Sequence, residues 1–263
     1  MLITGSSDGI GKALAKDFAR RGFNLILVSR TLSKLESTRS EIQSLYPASK
    51  IEIISIDFSY SHKDPINFYH ELFNKLQSFE ISILVNNVGA MDNHSLLNSK
   101  FEDLEYMISV NIYPSTHLTH KLLPIFIQRY NERKLKSLVI NLASTADESV
   151  AAGISVYAAT KRYNAFFSEG LRYEYSGIVE FVTVKPGPVE TELVVILGDS
   201  VPMKAKAQDY AKALLSGLRT GVNHGHWKSK LMGTGIRIWP YLINIAGVRI
   251  FIKSAVKKGL IKL

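Results

Sequence analysis

Short, almost continuously apolar runs alternate along the chain with longer stretches in which apolar residues recur every three or four positions. The short runs are 24–29 (NLILVS), 51–57 (IEIISID), 81–85 (ISILV), 137–141 (SLVIN) and 179–184 (VEFVTV). Runs of this length and β-branched character predict strands covered on both faces. The longer stretches predict helices over about 10–21, 31–45, 63–78, 100–129, 156–175 and 205–219. Strand and helix taken in turn predict βαβ units and a parallel sheet. No repeat, low-complexity segment or Pro/Gly/Ser linker divides the chain. One domain over 1–227, followed by an appendage over 228–263, is the simplest partition. Only residues 1–4 precede the first glycine turn, whereas a central strand spans about five residues. Either that strand is unusually short or the sequence lacks its natural beginning. The second is the expectation, because a shortened central strand forfeits ladder hydrogen bonds and buried area.

Composition adds little to this picture, and charge adds more. Hydrophobic residues make up 46% and charged residues 21% of 263, which suits a globular α/β fold and excludes a disordered one. With no cysteine, disulfides and thiolate metal sites are excluded. The seven histidines show no metal-helix spacing, so no metal is expected; His117 and His120 lie three apart but read as scattered surface residues. The net charge is +9, and it is unevenly spread: residues 1–209 hold 22 basic and 23 acidic groups, while 210–263 hold ten Lys and Arg and no acid. Such a segment attracts anionic surfaces. Its most apolar part, 231–252, is broken by Arg237, Pro240, Asn244 and Arg249, so it reads as lying on a bilayer or packing on the body. Trp239, Tyr241 and Phe251 among regularly placed cations suit a membrane surface reached through 228–263. No recognition motif accompanies the charge, and no nucleic acid partner is expected.

Candidate chemistry begins at Thr4-Gly5-Ser6-Ser7-Asp8-Gly9-Ile10-Gly11, between the first strand and the first helix. Glycines 5, 9 and 11 allow a tight turn and close approach of backbone to a pyrophosphate, with the helix N-terminus facing it. Gly5, Ser6, Ser7, Gly9, Ile10 and Gly11 are therefore cofactor-binding candidates. The next strand ends at Ser29-Arg30. An acid there would hold a ribose 2′-hydroxyl, whereas Arg30 suits a 2′-phosphate and favours NADPH over NADH. Asp57, at the end of the third strand, either meets the adenine amino group or caps the following turn. Tyr157 and Lys161 lie four apart on a predicted helix, on one face. A free phenol has a pKa of about 10, and a neighbouring ammonium is expected to lower it toward a useful range. Such a pair alone is commonplace. Here Asn86-Asn87-Val88-Gly89, Ser144 and Pro186-Gly187-Pro188-Val189-Glu190-Thr191 all fall at or near strand ends, with Asn111 in the intervening helix.

In that order these motifs resemble the short-chain dehydrogenase/reductase superfamily over residues 1–225. The resemblance implies an α/β, Rossmann-like doubly wound parallel sheet in a single domain, with the basic amphipathic C-terminal appendage added. It also implies that Tyr157 donates a proton to a carbonyl oxygen, that Lys161 binds the nicotinamide ribose and lowers the Tyr157 pKa, and that Ser144 holds the substrate oxygen. Asn111 would anchor a water relay to Lys161, Asn87 would contact the cofactor, and Val189 and Thr191 would meet its nicotinamide end. The strings Gly-Ser-Ser-Asp-Gly-Ile-Gly-Lys, Val-Ser-Arg and Leu-Val-Asn-Asn-Val-Gly, with Leu231-Met-Gly and Trp239-Pro-Tyr in the tail, resemble a narrower branch. That branch comprises the very-long-chain 3-oxoacyl-CoA reductases and 17β-hydroxysteroid dehydrogenases. It implies NADPH/NADP+ as cofactor and a hydrophobic ketone as substrate: a long-chain 3-oxoacyl-CoA in fatty acid elongation, or alternatively a steroid. It also implies the endoplasmic reticulum membrane surface as location, with the cytoplasm as the alternative. A non-catalytic cofactor-binding scaffold is the reading of another class. The superfamily implies dimers or tetramers, so a homodimer is an expected partner state.

Overall fold

The computed structural model describes residues 1–92, 96–151, 153–195 and 204–238. Among these, the strands are β1 (Leu2–Thr4), β2 (Leu25–Ser29), β3 (Ile51–Ser55), β4 (Ile83–Asn86), β5 (Ser137–Leu142), β6 (Val179–Val184), β7 (Val189–Glu190), β8 (Ala205–Lys206) and β9 (Gly221–Asn223). The helices are α1 (Gly9–Arg20), α2 (Leu32–Leu45), α3 (Pro65–Leu76), α4 (Phe101–Arg133), α5 (Ser155–Glu174), α6 (Glu192–Val195), α7 (Ala207–Ser216) and α8 (Trp227–Ile238). The main sheet runs β3-β2-β1-β4-β5-β6-β9, and every pairing is parallel. β7 and β8 form a separate two-stranded pair.

Strand alternation divides the core between the two faces of this sheet. Leu25 and Leu27 join Ile3, Val85, Ile140 and Val182 under α1, α2 and α7. Ile26 and Val28 join Leu2, Leu84, Val139 and Phe181 under α3, α4 and α5. Each strand is apolar on both sides because each side has its own layer of helices. The chain winds outward from β1 to β3, then returns to β4 and winds the other way. The order therefore reverses between β1 and β4, and a crevice opens beyond their carboxyl ends.

The structure adds elements that the apolar pattern missed. β9 and the β7–β8 pair are two or three residues long, too short to register as periodic runs. β1 is three residues long yet pairs on both sides, with β2 and with β4. α4 runs 33 residues, past the expected end at 129, with Pro114 and Pro124 inside it. Pro114 cannot supply the N–H that would reach the Val110 carbonyl. The neighbouring Asn111 carbonyl takes a hydrogen bond from the Asn164 amide at 2.9 Å, tying α4 to α5 at this point. His117 is stacked on Tyr69, 4.5 Å between ring centroids, and serves packing.

α8 covers the first residues of the expected appendage. Ser229 Oγ accepts from the Gly187 N–H at 2.9 Å, and Met232 Sδ accepts from Thr145 Oγ1 at 3.7 Å, so this helix is seated on the body. Residues 239–263, with most of the expected membrane-facing segment, lie outside the described residues.

Phe181 has no exposed surface and stands at the centre of the α3/α4/α5 side. Phe181→Ala should lower the unfolding free energy by about 3–5 kcal/mol, read from denaturant titration.

Candidate active site

The crevice encloses a cavity of about 540 Å³ over the carboxyl ends of the central strands. Its floor is the glycine turn. Gly5 and Gly9 have φ of +62° and +54°, a region that favours glycine. A Cβ at Gly5 would lie 2.8 Å from Asn87 Nδ2, one at Gly9 2.6 Å from Thr191 Cγ2, and one at Gly11 2.2 Å from the Gly5 carbonyl oxygen. Asn87 locks the turn: its Nδ2 donates to the carbonyls of Thr4 and Gly5 at 2.8 and 3.0 Å. Thr4 Oγ1 in turn accepts from the Asn87 and Val88 N–H groups. No side chain caps the first turn of α1, so its backbone N–H groups remain for an anion. A glycine cradle under an uncapped helix start fits a dinucleotide pyrophosphate.

Gly5, Ser7, Gly9, Ile10, Arg30, Asp57, Asn87, Val189 and Thr191 all line this cavity, with Tyr157 and Lys161. Ser6 and Gly11 do not. Ser6 is fully buried, its hydroxyl bonded to the Val28 carbonyl at 3.3 Å, and Gly11 packs against the back of the turn. Asp57 both lines the cleft and caps a short 3-10 turn by accepting from the Ser59 N–H at 2.9 Å. Arg30 Nη1 donates to the Tyr106 hydroxyl at 3.0 Å on the exposed rim. Lys34 and Glu192 form an ion pair at 2.5 Å between α2 and α6, both lining the cleft. The Glu192 N–H also donates to the Asp8 carboxylate.

At the inner end, α5 brings Tyr157 and Lys161 together, and the turn after β5 brings Ser144. Tyr157 is 7% and Lys161 4% exposed. Lys161 Nζ lies 5.7 Å from the centroid of the Tyr157 ring and donates to the Leu142 carbonyl at 3.2 Å. Gly89 makes room for it, since a Cβ there would lie 3.0 Å from that ammonium and 3.2 Å from Asn111 Oδ1. Asn111 is buried and fixed: its amide donates to the Ala90 carbonyl and to Thr160 Oγ1, each at 2.9 Å, while Oδ1 accepts from the Ala90 N–H at 2.7 Å. Ser144 begins a 3-10 turn, Thr145–Asp147, and its hydroxyl accepts from the Ala146 N–H at 3.1 Å.

Burial governs the acidity of this pair. It pushes the Tyr157 phenol up to about 12, against a hydrogen bond from Ser144 that lowers it and the Asp147 charge that raises it further. Burial also pulls the Lys161 ammonium down to about 8, while Asp147 works the other way. Desolvation of the phenolate is the largest influence on this phenol in the packed site. At neutral pH the phenol holds its proton.

Tyr106, Lys34, Phe58 and Leu193 also line the cleft and were not singled out from sequence. They sit within helices or turns that the topology, not a motif, swings over the strand ends. Among the described residues no group of His, Asp or Glu is placed to hold a metal ion.

The family model for short chain dehydrogenase matches residues 1–200. Putative steroid dehydrogenase 4 of Caenorhabditis elegans is 37% identical over 200 residues, 73% of this chain and 72% of that protein. Very-long-chain 3-oxoacyl-CoA reductase-B of Danio rerio is 33% identical over 240 residues, 88% of this chain and 73% of that protein. The match spans only 60% of the length of several other relatives, among them a very-long-chain 3-oxoacyl-CoA reductase of Caenorhabditis elegans. A short-chain dehydrogenase from Sphingobium yanoikuyae in complex with NADPH superimposes with a TM-score of 0.76 at 28% identity, covering 84% of this chain and 85% of that one.

Gly11→Ala should force the turn apart, since its methyl has nowhere to go between Gly5 and Asn87. Binding of a nicotinamide dinucleotide, followed by fluorescence titration, should weaken by roughly tenfold or more, equivalent to about 1.4 kcal/mol.

Proposed function

Since the chain belongs to the short chain dehydrogenase family, we propose that it reduces a hydrophobic ketone to a secondary alcohol with NADPH, its substrate being a long-chain 3-oxoacyl-CoA reduced to the 3-hydroxyacyl-CoA in fatty acid elongation. The observation that carries this reading is the buried Tyr157, paired with Lys161 at the inner end of a dinucleotide-sized cleft.

Bound NADPH supplies the hydride. The protein's own residues handle the oxygen. Ser144 and Tyr157 converge on the position a carbonyl oxygen would take, and the Tyr157 hydroxyl passes its proton to that oxygen as negative charge develops there. Lys161 steadies the phenolate left behind, and in the same place it is suited to the nicotinamide ribose hydroxyls. Asn111, fixed against Thr160 beside Lys161, is suited to holding a water that returns the proton. Val189 and Thr191 close the nicotinamide end, and Arg30 on the rim suits a 2′-phosphate.

A recess of about 80 Å³ adjoins Tyr157, its lining mixing Leu96, Leu104, Met107, Ile154 and Val156 with Asp92, Ser99 and Ser155. The relatives named as very-long-chain 3-oxoacyl-CoA reductases support the acyl-CoA. Others, named as steroid dehydrogenases, favour a second reading in which the substrate is a steroid ketone. Turnover of the two measured side by side separates them, and cofactor binding without turnover on either would return the chain to a scaffold. Among the described residues no helix is long and apolar enough to cross a membrane. The basic segment 228–263 supports work at an anionic membrane surface; the resemblance to the very-long-chain 3-oxoacyl-CoA reductases favours that of the endoplasmic reticulum, with the cytoplasm as the alternative, and the family favours a homodimer.

Tyr157→Phe should cut kcat by roughly 10²–10⁴, followed as loss of nicotinamide absorbance with 3-oxoacyl-CoA, while NADPH still binds. Full activity in that variant would remove Tyr157 from its role. Arg30→Ala should weaken NADPH binding by about 1.5–3 kcal/mol and leave NADH nearly unchanged, as compared by parallel titrations.

A further inference from the structure

The buried face of α5 is polar at positions where a packed helix ordinarily carries aliphatic side chains. Tyr157, Thr160, Lys161, Asn164 and Ser168 recur along it at helical spacing, and all five are buried. Tyr157 and Lys161 have tasks in the reaction proposed above, whereas Asn164, one turn on from Lys161, has none so far. It is 4% exposed, and an amide shut away from water costs stability unless both its ends are bonded. Both ends are bonded to α4. Asn164 Nδ2 donates to the Asn111 carbonyl at 2.9 Å, and the Ser115 hydroxyl donates to Asn164 Oδ1 at 2.8 Å. An aliphatic residue of the same size would fill the gap between α4 and α5 without needing either partner.

Asn111 leads from there to the reacting groups. Its carboxamide brackets Ala90, accepting from the N–H at 2.7 Å and donating to the carbonyl at 2.9 Å, and Ala90 lines the cleft. The same amide donates to Thr160 Oγ1 at 2.9 Å, and that hydroxyl donates to the Tyr157 carbonyl at 2.8 Å. Asn111 Oδ1 and Lys161 Nζ flank the space that Gly89 leaves free, 3.2 and 3.0 Å from where its Cβ would stand. We propose that Asn164 is a positioning residue for proton return: oriented by Ser115, it holds the Asn111 backbone so that the Asn111 carboxamide braces Ala90 and Thr160 and keeps its oxygen beside Lys161. This reading rests on the role given to Asn111 above. Every link from Asn164 to Tyr157 is a hydrogen bond between buried groups, so a shift at one end is passed on and not absorbed by solvent.

The test is NMR of the Asn111 side-chain amide in the cofactor-free protein, labelled at asparagine, with the signal identified by its loss in Asn111→Ser. Asn164→Leu, which keeps the bulk and removes both bonds, should shift that signal and speed exchange of its protons with solvent by roughly tenfold. Thr183→Val breaks another buried hydrogen bond of α5, to Glu169 at 2.8 Å, and should leave the signal in place. An unmoved Asn111 signal in folded Asn164→Leu, or an equal change in Thr183→Val, overturns the proposal. Should Asn164→Leu not fold, Ser115→Ala is expected to speed the exchange in the same direction, and an unmoved signal there overturns it equally. With NADPH and 3-oxoacyl-CoA, the kcat of Asn164→Leu should fall by roughly tenfold or more, with little change in the KM for NADPH. An unchanged kcat beside a moved signal also overturns the positioning role. A protein inert toward ketones before any substitution would instead sink the proposed reaction, while the amide signal still decides whether Asn164 holds Asn111.

Discussion

A buried ammonium costs several kcal/mol unless something answers it, and the active end of this molecule is arranged around one. Lys161 is 4% exposed at the point where β4 and β5 finish. The Leu142 carbonyl accepts from it, Gly89 withholds a side chain so that it fits, and Asn111 stands beside it, pinned to Ala90 and Thr160. The same burial that lowers its pKa raises that of the phenol next to it. Both groups ordinarily give up a proton near pH 10, and burial moves them apart, the phenol upward and the ammonium downward.

The parallel sheet makes this affordable. Because each strand is covered on both faces, the crevice beyond the strand ends opens between β1 and β4, where the winding reverses. Groups from α4, α5 and the turn after β5 arrive there together although they are separated by tens of residues. The Asn164 contact to the Asn111 carbonyl beside Pro114 fastens α4 to α5 where both present side chains to the crevice.

Much of this was legible in the sequence. The five long apolar runs became strands within a few residues of their expected bounds, and the glycine turn, Arg30, Asn87, Ser144, Tyr157 and Lys161 stand around one cavity. Motifs of this kind are readable because they answer local demands: a positive φ at Gly5, a helix start, one turn between Tyr157 and Lys161. What was not legible depends on distance across the fold. Ser6 belongs to the cofactor turn in sequence, yet the pleat directs its hydroxyl to Val28. β9 is too short to show a period, and it is the tertiary edge beside β6 that makes it a strand. The rise of the Tyr157 pKa could not be foreseen from its spacing to Lys161, because desolvation is a property of the packed site.

α8 presses its backbone against a polar cluster below Ser144. A Cβ at Gly233 would lie 2.7 Å from His224 Nε2, and Ser229 and Met232 make contacts to Gly187 and Thr145. The helix that leads into the cationic tail is therefore bolted to the same loop that carries the serine. The chain therefore reaches Ile238 along a helix already seated against the rim of the crevice.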